Sequence, residues 1–297
     1  MIGTFLLGCA GIACAAIFVR LALPAPPVVT AFYRLGMATA LLLAVLALRR
    51  GRPRWTPAEA APAVLAGVCF GLDMALWNTS LVRTSVANAT LLVNTTPLFV
   101  GAWAWLAAGE RPGARFAAGA AAALAGAAVL LGADLGAPES LGGDVLALAA
   151  AVFYSGYLLL VKRARRALDA VAAVALAGVG ATLTVGALAV ARGDPFTGFP
   201  AHSWAAFVAL ALVSHLGGVL GIVWALRYLR ASFASVALLA QPLGAAALGW
   251  VVLGEALSAL QCLGGLAVIA GILLASGAAA DPPGETAASA ATRSAAS

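Results

Sequence analysis

The sequence predicts an all-α integral membrane protein whose ten transmembrane helices form two inverted five-helix repeats. Of the 297 residues, 63% are hydrophobic and 9% are charged, whereas soluble domains are roughly half apolar and about a quarter charged. The apolar residues form long runs, and one stretch of the chain recurs 145 residues further on. Because too little polar surface remains to cover a water-soluble globule, lipid is the expected solvent for most of the chain.

Ten apolar runs are long enough to cross a bilayer. A transmembrane helix needs about 20 predominantly apolar residues, and in hydrocarbon only helices and closed barrels satisfy every backbone group. In chain order, the predicted spans 1 to 10 are Ile2–Val19, Val28–Leu48, Ala61–Leu81, Ala87–Ala108, Phe116–Ala133, Asp144–Val161, Ala170–Ala191, Trp204–Leu226, Ala234–Leu253 and Ser258–Ser276. The residues after Ser276 are mostly Ala, Ser, Thr, Pro and Gly, which predicts a disordered tail over 277–297.

The basic residues lie between the apolar runs. A net charge of +6 can mark a nucleic-acid binder, but these residues fall in the loops that join membrane spans. With a cytoplasmic N-terminus, the outer loops carry Arg20, Arg83 and Arg192, and the cytoplasmic side carries Arg49, Arg50, Arg52, Arg54, Arg111, Arg115, Lys162, Arg163, Arg165, Arg166, Arg227, Arg230 and Arg293. Since Lys and Arg are retained in the cytoplasm, both termini are predicted to be cytoplasmic, and nucleic acid is not an expected partner.

Motifs of catalysis and metal binding are missing from the sequence. The sole lysine, Lys162, follows no glycine-rich phosphate-binding loop, and the two histidines do not match a zinc-protease motif. The four cysteines fall inside apolar runs, without the spacing of a zinc site or a disulfide framework. We therefore expect a protein that is not an enzyme and that needs no metal or cofactor.

An internal repeat divides the chain. Residues 81–131 align without a gap on residues 226–276, and the matched residues include Leu81, Ala89, Pro97, Leu98, Trp105, Gly109, Glu110, Gly119 and Gly126 with their counterparts 145 positions later. Chance similarity between Ala/Leu-rich helices explains shared Ala and Leu but not the paired Pro, Trp and Gly-Glu. The predicted repeats are 1–137 and 138–276. Five spans in each repeat would place the second in the membrane upside down, an architecture of transporters with a substrate site near the midplane.

The sequence resembles the EamA family of the drug/metabolite transporter superfamily over residues 1 to about 276. The segments that carry the resemblance are Phe32-Tyr33-Arg34-Leu35, the stretch Ser80 to Ala89, Asn94-Thr95-Thr96-Pro97-Leu98, Gly109-Glu110-Arg111-Pro112 and, more loosely, Gln241-Pro242 and Gly254-Glu255-Ala256-Leu257. The resemblance implies a ten-span carrier of the bacterial inner membrane, with both termini cytoplasmic, that moves amino acids or other small metabolites, often outward.

Asp73 and His215 are candidates for a substrate or proton pathway. Asp73 lies about twelve residues into span 3, roughly 18 Å at 1.5 Å per residue, which places a carboxylate near the bilayer centre. It could bind a substrate ammonium or carry a proton, or it could be a structural carboxylate that pairs with Arg34 of span 2 or is hydrogen-bonded to a neighbouring helix. His215 reaches a similar depth in span 8, where it could relay a proton or be simply hydrogen-bonded.

Two prolines at equivalent positions of spans 4 and 9 are predicted to kink those helices. Pro97 and Pro242 each remove one helical hydrogen bond and free a carbonyl group one turn earlier. Kinked helices paired across an inverted repeat indicate a substrate cavity. Asn94 and Gln241 beside them could hold a polar solute, although Asn and Thr residues next to a proline can also satisfy the broken backbone.

Aromatic residues could complete the cavity. Trp77 is one helical turn from Asp73 on the same face, and Tyr154 and Tyr157 lie three residues apart on span 6. Packing against span 7 is an equal alternative for the two tyrosines.

The leading hypothesis is a secondary transporter that exports amino acids or related small metabolites by alternating access with proton or solute exchange. One alternative is an importer of a vitamin, nucleoside or similar solute on the same fold. Another is a membrane enzyme or assembly factor that uses Asp73 as an acid. The expected partners are a small-molecule substrate and the lipid bilayer. The sequence is also compatible with a homodimer.

Overall fold

The computed structural model of the chain describes residues 2–49, 55–84, 86–108, 113–131, 141–229, 231–244 and 258–277. These residues form helices and short connections. The helices are α1 (Ile2–Ala13), α2 (Ala15–Leu21), α3 (Pro27–Leu48), α4 (Pro57–Ser80), α5 (Val86–Val93), α6 (Thr96–Ala108), α7 (Ala114–Leu131), α8 (Leu141–Ala164), α9 (Ala170–Ala191), α10 (Ala201–Ala209), α11 (Leu220–Leu226), α12 (Ala231–Ala237) and α13 (Ala259–Gly277). A π-helical segment, Leu210–Val219, joins α10 to α11, and residues 240–244 form a further helical turn.

Six helical stretches are long and apolar enough to cross a membrane: Gly3–Leu21, Pro27–Leu48, Pro57–Ser80, Leu141–Ala164, Ala170–Ala191 and Ala201–Leu226. They correspond to predicted spans 1, 2, 3, 6, 7 and 8. Large apolar side chains on their outer faces are exposed, among them Leu7, Leu48 and Leu183. In lipid such faces need no cover, so the protein is a multi-pass helical membrane protein.

Helix α4 begins four residues earlier than hydropathy predicts. The Thr56 hydroxyl accepts a hydrogen bond from the Glu59 amide, and the Glu59 carboxylate accepts one from the Thr56 amide at 2.7 Å. This capping box, with Pro57 in the first turn, satisfies free amides at the helix start. The polar cap therefore extends α4 beyond its apolar residues.

Three predicted spans are interrupted rather than continuous within the described residues. Span 1 is divided into α1 and α2 at Cys14, and span 4 is divided into α5 and α6 at Asn94 and Thr95. The described part of span 9 is likewise interrupted by a turn at residues 238–239. The rest of span 9, Glu110, Glu255 and residues 278–297 of the predicted tail lie outside the described residues.

Helices pack closely where small residues meet. Helix α4 packs against α8 and α9, α3 packs against α9, and α7 packs against α13. A Cβ atom on Gly71 would lie 2.9 Å from the Ala181 carbonyl oxygen, so α4 and α9 approach each other at backbone distance. Because membrane helices gain little from a hydrophobic driving force, such close approach provides the van der Waals contact that holds them together.

Candidate functional site

A cavity of about 130 Å³ lies among the helices and takes residues from both predicted repeats. Its polar and aromatic lining consists of Arg34, Phe70, Asp73, Trp77, Thr90, Asn94, Tyr154, Tyr157 and Gln241. Its apolar lining consists of Ile12, Ala13, Ala15, Met74, Val93, Val219 and Ile222. Seven of the eight residues that the sequence suggests for a substrate or proton pathway therefore line one space, and His215 is outside this set.

Arg34 and Asp73 place opposite charges at this cavity. Arg34 lies about one-third of the way along α3, and Asp73 lies about two-thirds of the way along α4. Because consecutive membrane-spanning helices run antiparallel, the two residues are at the same depth in the membrane. Both are buried, with 2% and 1% of their surface exposed. They attract each other electrostatically, but neither Nε nor Nη1 of Arg34 nor Oδ1 of Asp73 has a hydrogen-bond partner. Buried polar atoms are normally paired, so these atoms are available to a bound molecule.

Aromatic rings form one wall of the cavity. The ring of Phe70 stacks on that of Tyr157 with centroids 4.5 Å apart, and Tyr157 stacks on Tyr154 at 5.8 Å. Trp77 lines the same space, and its buried Nε1 has no hydrogen-bond partner. This wall can pack against the apolar or aromatic part of a solute while the indole donates one hydrogen bond.

His215 lies behind this wall. Its ring is 5.8 Å from that of Phe70, and neither of its ring nitrogens has a hydrogen-bond partner. Further along the same stretch, Val219 and Ile222 reach the cavity instead. His215 belongs to the π-helical segment, whose wider turns change which residues share a face compared with an α-helix.

The polar residues at the break between α5 and α6 bind their own backbone. The Asn94 side chain donates to the Thr90 carbonyl at 2.8 Å, and the Thr95 and Thr96 hydroxyls donate to the Leu92 and Val93 carbonyls at 2.6 Å. Pro97 follows in the first turn of α6. Asn94 and Gln241 both line the cavity, but the amide of Asn94 also satisfies the interrupted helix.

Sequence reasoning missed several lining residues. Phe70 is three residues before Asp73 and therefore on the same helical face, so helical spacing could have identified it. Ile12, Val219 and Ile222 are ordinary apolar residues in apolar runs and gave no such signal. Within the described part of the chain, no group of three or more His, Cys, Asp or Glu residues could hold a metal ion.

The comparisons with known proteins agree with this architecture. The model of the EamA-like transporter family matches residues 1–132 and 141–277. The chain belongs to the EamA-like transporter family. The family belongs to the drug/metabolite transporter superfamily, and its members are membrane transporters of small solutes rather than enzymes.

A solved structure shares the fold of this EamA-like protein. A crystal structure described simply as that of a protein aligns over 93% of this chain and 97% of its own, with 24% sequence identity and a TM-score of 0.73. At this identity the likeness concerns the fold alone. Among curated proteins, none matches the chain.

Proposed function

We propose that this EamA-like protein is a secondary transporter that exports amino acids or related small metabolites across the bacterial inner membrane by alternating access, with proton or solute exchange. The observation that carries the proposal is the cavity between the predicted repeats, where buried charged groups and aromatic rings face one space. Polar groups are costly inside a membrane and are kept there mainly for function. Export is the direction suggested by resemblance to the family.

The proposed architecture is ten spans in two inverted repeats, 1–137 and 138–276. Three helix positions support it. A shift of 145 residues carries α4 to 202–225, α5 to 231–238 and α7 to 259–276, whereas the corresponding described stretches are Ala201–Leu226, Ala231–Ala237 and Ala259–Gly277. The helix breaks agree as well, because residues 94–95 shift to 239–240, next to the turn at 238–239.

The contact between α7 and α13 supports a two-fold relation. Gly119 packs against Gly271, and Gly126 packs against Gly264. A shift of 145 residues relates Gly119 to Gly264 and Gly126 to Gly271. If each glycine is replaced by its counterpart in the other repeat, the Gly119–Gly271 contact becomes the Gly264–Gly126 contact. Reciprocal contacts of this kind are expected when two repeats are related by a pseudo-two-fold axis.

Within the cavity we assign Asp73, Arg34, Trp77, Asn94, Gln241, Tyr154 and Tyr157 to substrate or proton binding. His215 is then assigned an indirect role, through its ring contact with Phe70. Pro97 and Pro242 are assigned to hinges, since both lie at interruptions of helices that line the cavity. The sliding of closely packed, small-residue interfaces would let one repeat rock against the other.

A solute-exchange assay tests the transport function. Purified protein in liposomes is preloaded with one unlabelled solute and offered the same solute with a radioactive label, over a panel of amino acids, vitamins and nucleosides. We expect labelled amino acids to accumulate at least tenfold above protein-free liposomes. Exchange of vitamins or nucleosides alone would favour the importer, and no exchange across the whole panel would reject a carrier.

The proposed orientation, with both termini cytoplasmic, is tested by cysteine labelling. In a variant without the four native cysteines, Cys is introduced either at Pro138 or at Arg166, a residue exposed after α8. An impermeant maleimide should label Pro138→Cys in intact cells and label Arg166→Cys only after permeabilisation. Labelling of both variants from outside would overturn the assignment.

A further inference from the structure

We propose that the cavity binds a zwitterionic solute with an apolar side chain, whose carboxylate is held by Arg34 and whose ammonium group is held by Asp73. The inference rests on the proposed transport function and names the substrate class of the same site. It is carried by two opposite charges that share one buried cavity without being paired to each other.

Arg34 and Asp73 do not form a direct ion pair. Among the described residues, the ion pairs within 4.0 Å are Arg49–Asp169 and Arg192–Asp194, both with partly exposed side chains. Arg34 and Asp73 attract each other but do not form such a pair. In a region of low dielectric, opposite charges gain most by direct contact. A gap between them is therefore the expected form of a site that a dipolar molecule completes.

The unpaired atoms indicate what the gap can accept. Nε and Nη1 of Arg34 are buried donors without an acceptor, and Oδ1 of Asp73 is a buried acceptor without a donor. A guanidinium group binds carboxylates through its fork of N–H donors, and a carboxylate binds an ammonium group. A solute with only one charge would leave the opposite group unpaired, whereas a zwitterion satisfies both.

The remaining walls suit an apolar side chain. Phe70, Met74, Val219 and Ile222 line the cavity, and Trp77 adds both an apolar ring and the unpaired Nε1 donor. A mostly apolar pocket with a few convergent polar groups fixes the orientation of a ligand through those groups. The expected substrates are therefore apolar amino acids or molecules with the same pair of charges.

Binding measurements on the purified protein test the proposal without requiring transport. The probes are L-leucine, L-methionine and L-phenylalanine, their amides, which lack the carboxylate, and their deaminated acids, which lack the ammonium group. For wild-type protein, we expect at least one amino acid to bind, and its two analogues to bind at least tenfold more weakly. A site built for polar groups rejects an analogue that leaves those groups unpaired.

Two variants assign each charge to its residue. In Arg34→Gln, the preference for the amino acid over its amide should fall to within twofold, while the preference over the deaminated acid persists. In Asp73→Asn, the preference for the amino acid over its deaminated acid should fall to within twofold, while the preference over the amide persists. Arg192→Gln and Asp194→Asn, which remove the same groups from a surface ion pair, should leave both preferences unchanged.

The outcomes separate this proposal from the transport function. If none of the three amino acids binds, or if the amide and the deaminated acid bind as well as the amino acid, two-charge recognition is wrong. The wild-type comparison decides this even if a variant fails to fold. If the same preparation exchanges other solutes in liposomes but binds none of these amino acids, the transport function is supported and the zwitterion site is rejected. An absence of exchange for every solute would instead reject the transporter.

Discussion

A Cβ atom on Gly126 would lie 2.6 Å from the carbonyl oxygen of Gly264, and one on Gly264 would lie 2.8 Å from the carbonyl oxygen of Gly126. Helices α7 and α13 therefore touch through their backbones at this point. Real Cβ atoms do not approach a backbone oxygen so closely. Any side chain here must push the helices apart, and the contact is a sensitive place to test their packing.

Gly126→Ala should destabilise the protein by about 1–3 kcal/mol, because overpacking at a close interface forces the backbone to shift. The measurement is the thermal unfolding midpoint in detergent. Gly142→Ala is the matched control, since a Cβ atom on Gly142 in α8 would meet nothing within 4 Å. Its midpoint should stay unchanged or rise, because Ala favours a helix over Gly. Equal effects of the two substitutions would contradict backbone contact between α7 and α13.

The break between α5 and α6 makes a second prediction. The carbonyl of Val93 cannot receive an amide hydrogen from Pro97, and it accepts the Thr96 hydroxyl at 2.6 Å instead. Thr96→Val should therefore cost about 1–3 kcal/mol by leaving a partly buried carbonyl unpaired. Adding Pro97→Ala supplies an amide hydrogen and should restore part of the loss, as read from the same thermal midpoints.

Thr184→Val is the control for this pair. The Thr184 hydroxyl donates to the Gly180 carbonyl at 2.8 Å, but in the uninterrupted α9 that carbonyl also accepts a backbone amide. Its loss should cost much less than Thr96→Val. If the Thr96→Val and Thr96→Val/Pro97→Ala proteins melt at the same temperature, the proline is not the reason for the hydroxyl contact.

Hydropathy predicted the long helices well, because a run of about 20 apolar residues is a strong signal in any window. The ends and the breaks depend on other physics. The capping box at Thr56 and Glu59 extends α4 with polar residues, which hydropathy does not count as part of a span. The interruption at Asn94 and Thr95 lies two residues before Pro97, inside a run whose average hydropathy stays high.

The site was predictable where α-helical spacing holds. Trp77 and Asp73 are one turn apart on α4 and line the same cavity, as their spacing indicates. His215 and Val219 are four residues apart in the π-helical segment Leu210–Val219, yet only Val219 lines the cavity, so helical spacing alone did not predict the lining here. The segment packs on α1, where Gly11 and Gly218 meet closely, and such tertiary contacts are not visible in local sequence.

His215 gives a third prediction, because both of its ring nitrogens are buried and unpaired. His215→Leu removes two unsatisfied polar atoms while keeping an apolar contact with Phe70, so it should raise the thermal midpoint, by about 1 kcal/mol in stability. Ser80→Ala is the contrasting control. Its buried hydroxyl donates to the Trp77 carbonyl at 2.7 Å, and that carbonyl also accepts the Leu81 amide at 3.1 Å, so its removal should leave the midpoint nearly unchanged. A lower midpoint for His215→Leu would mean that the nitrogens do have partners.

The last prediction concerns Tyr33, which joins α3 to the connection between α9 and α10. Its hydroxyl donates to the Phe196 carbonyl at 2.5 Å, and its ring stacks on Phe207 with centroids 4.9 Å apart. Tyr33→Phe keeps the ring and removes a hydrogen bond worth about 0.5–1.5 kcal/mol, so the connection should detach from α3 more often. Chymotrypsin, which cleaves after exposed aromatic residues, should then cut after Phe196 roughly two- to tenfold faster, in proportion to the open population. Tyr228→Phe, at an exposed tyrosine, should leave the cleavage rate unchanged. An unchanged rate in Tyr33→Phe as well would mean that ring packing alone holds this connection against α3.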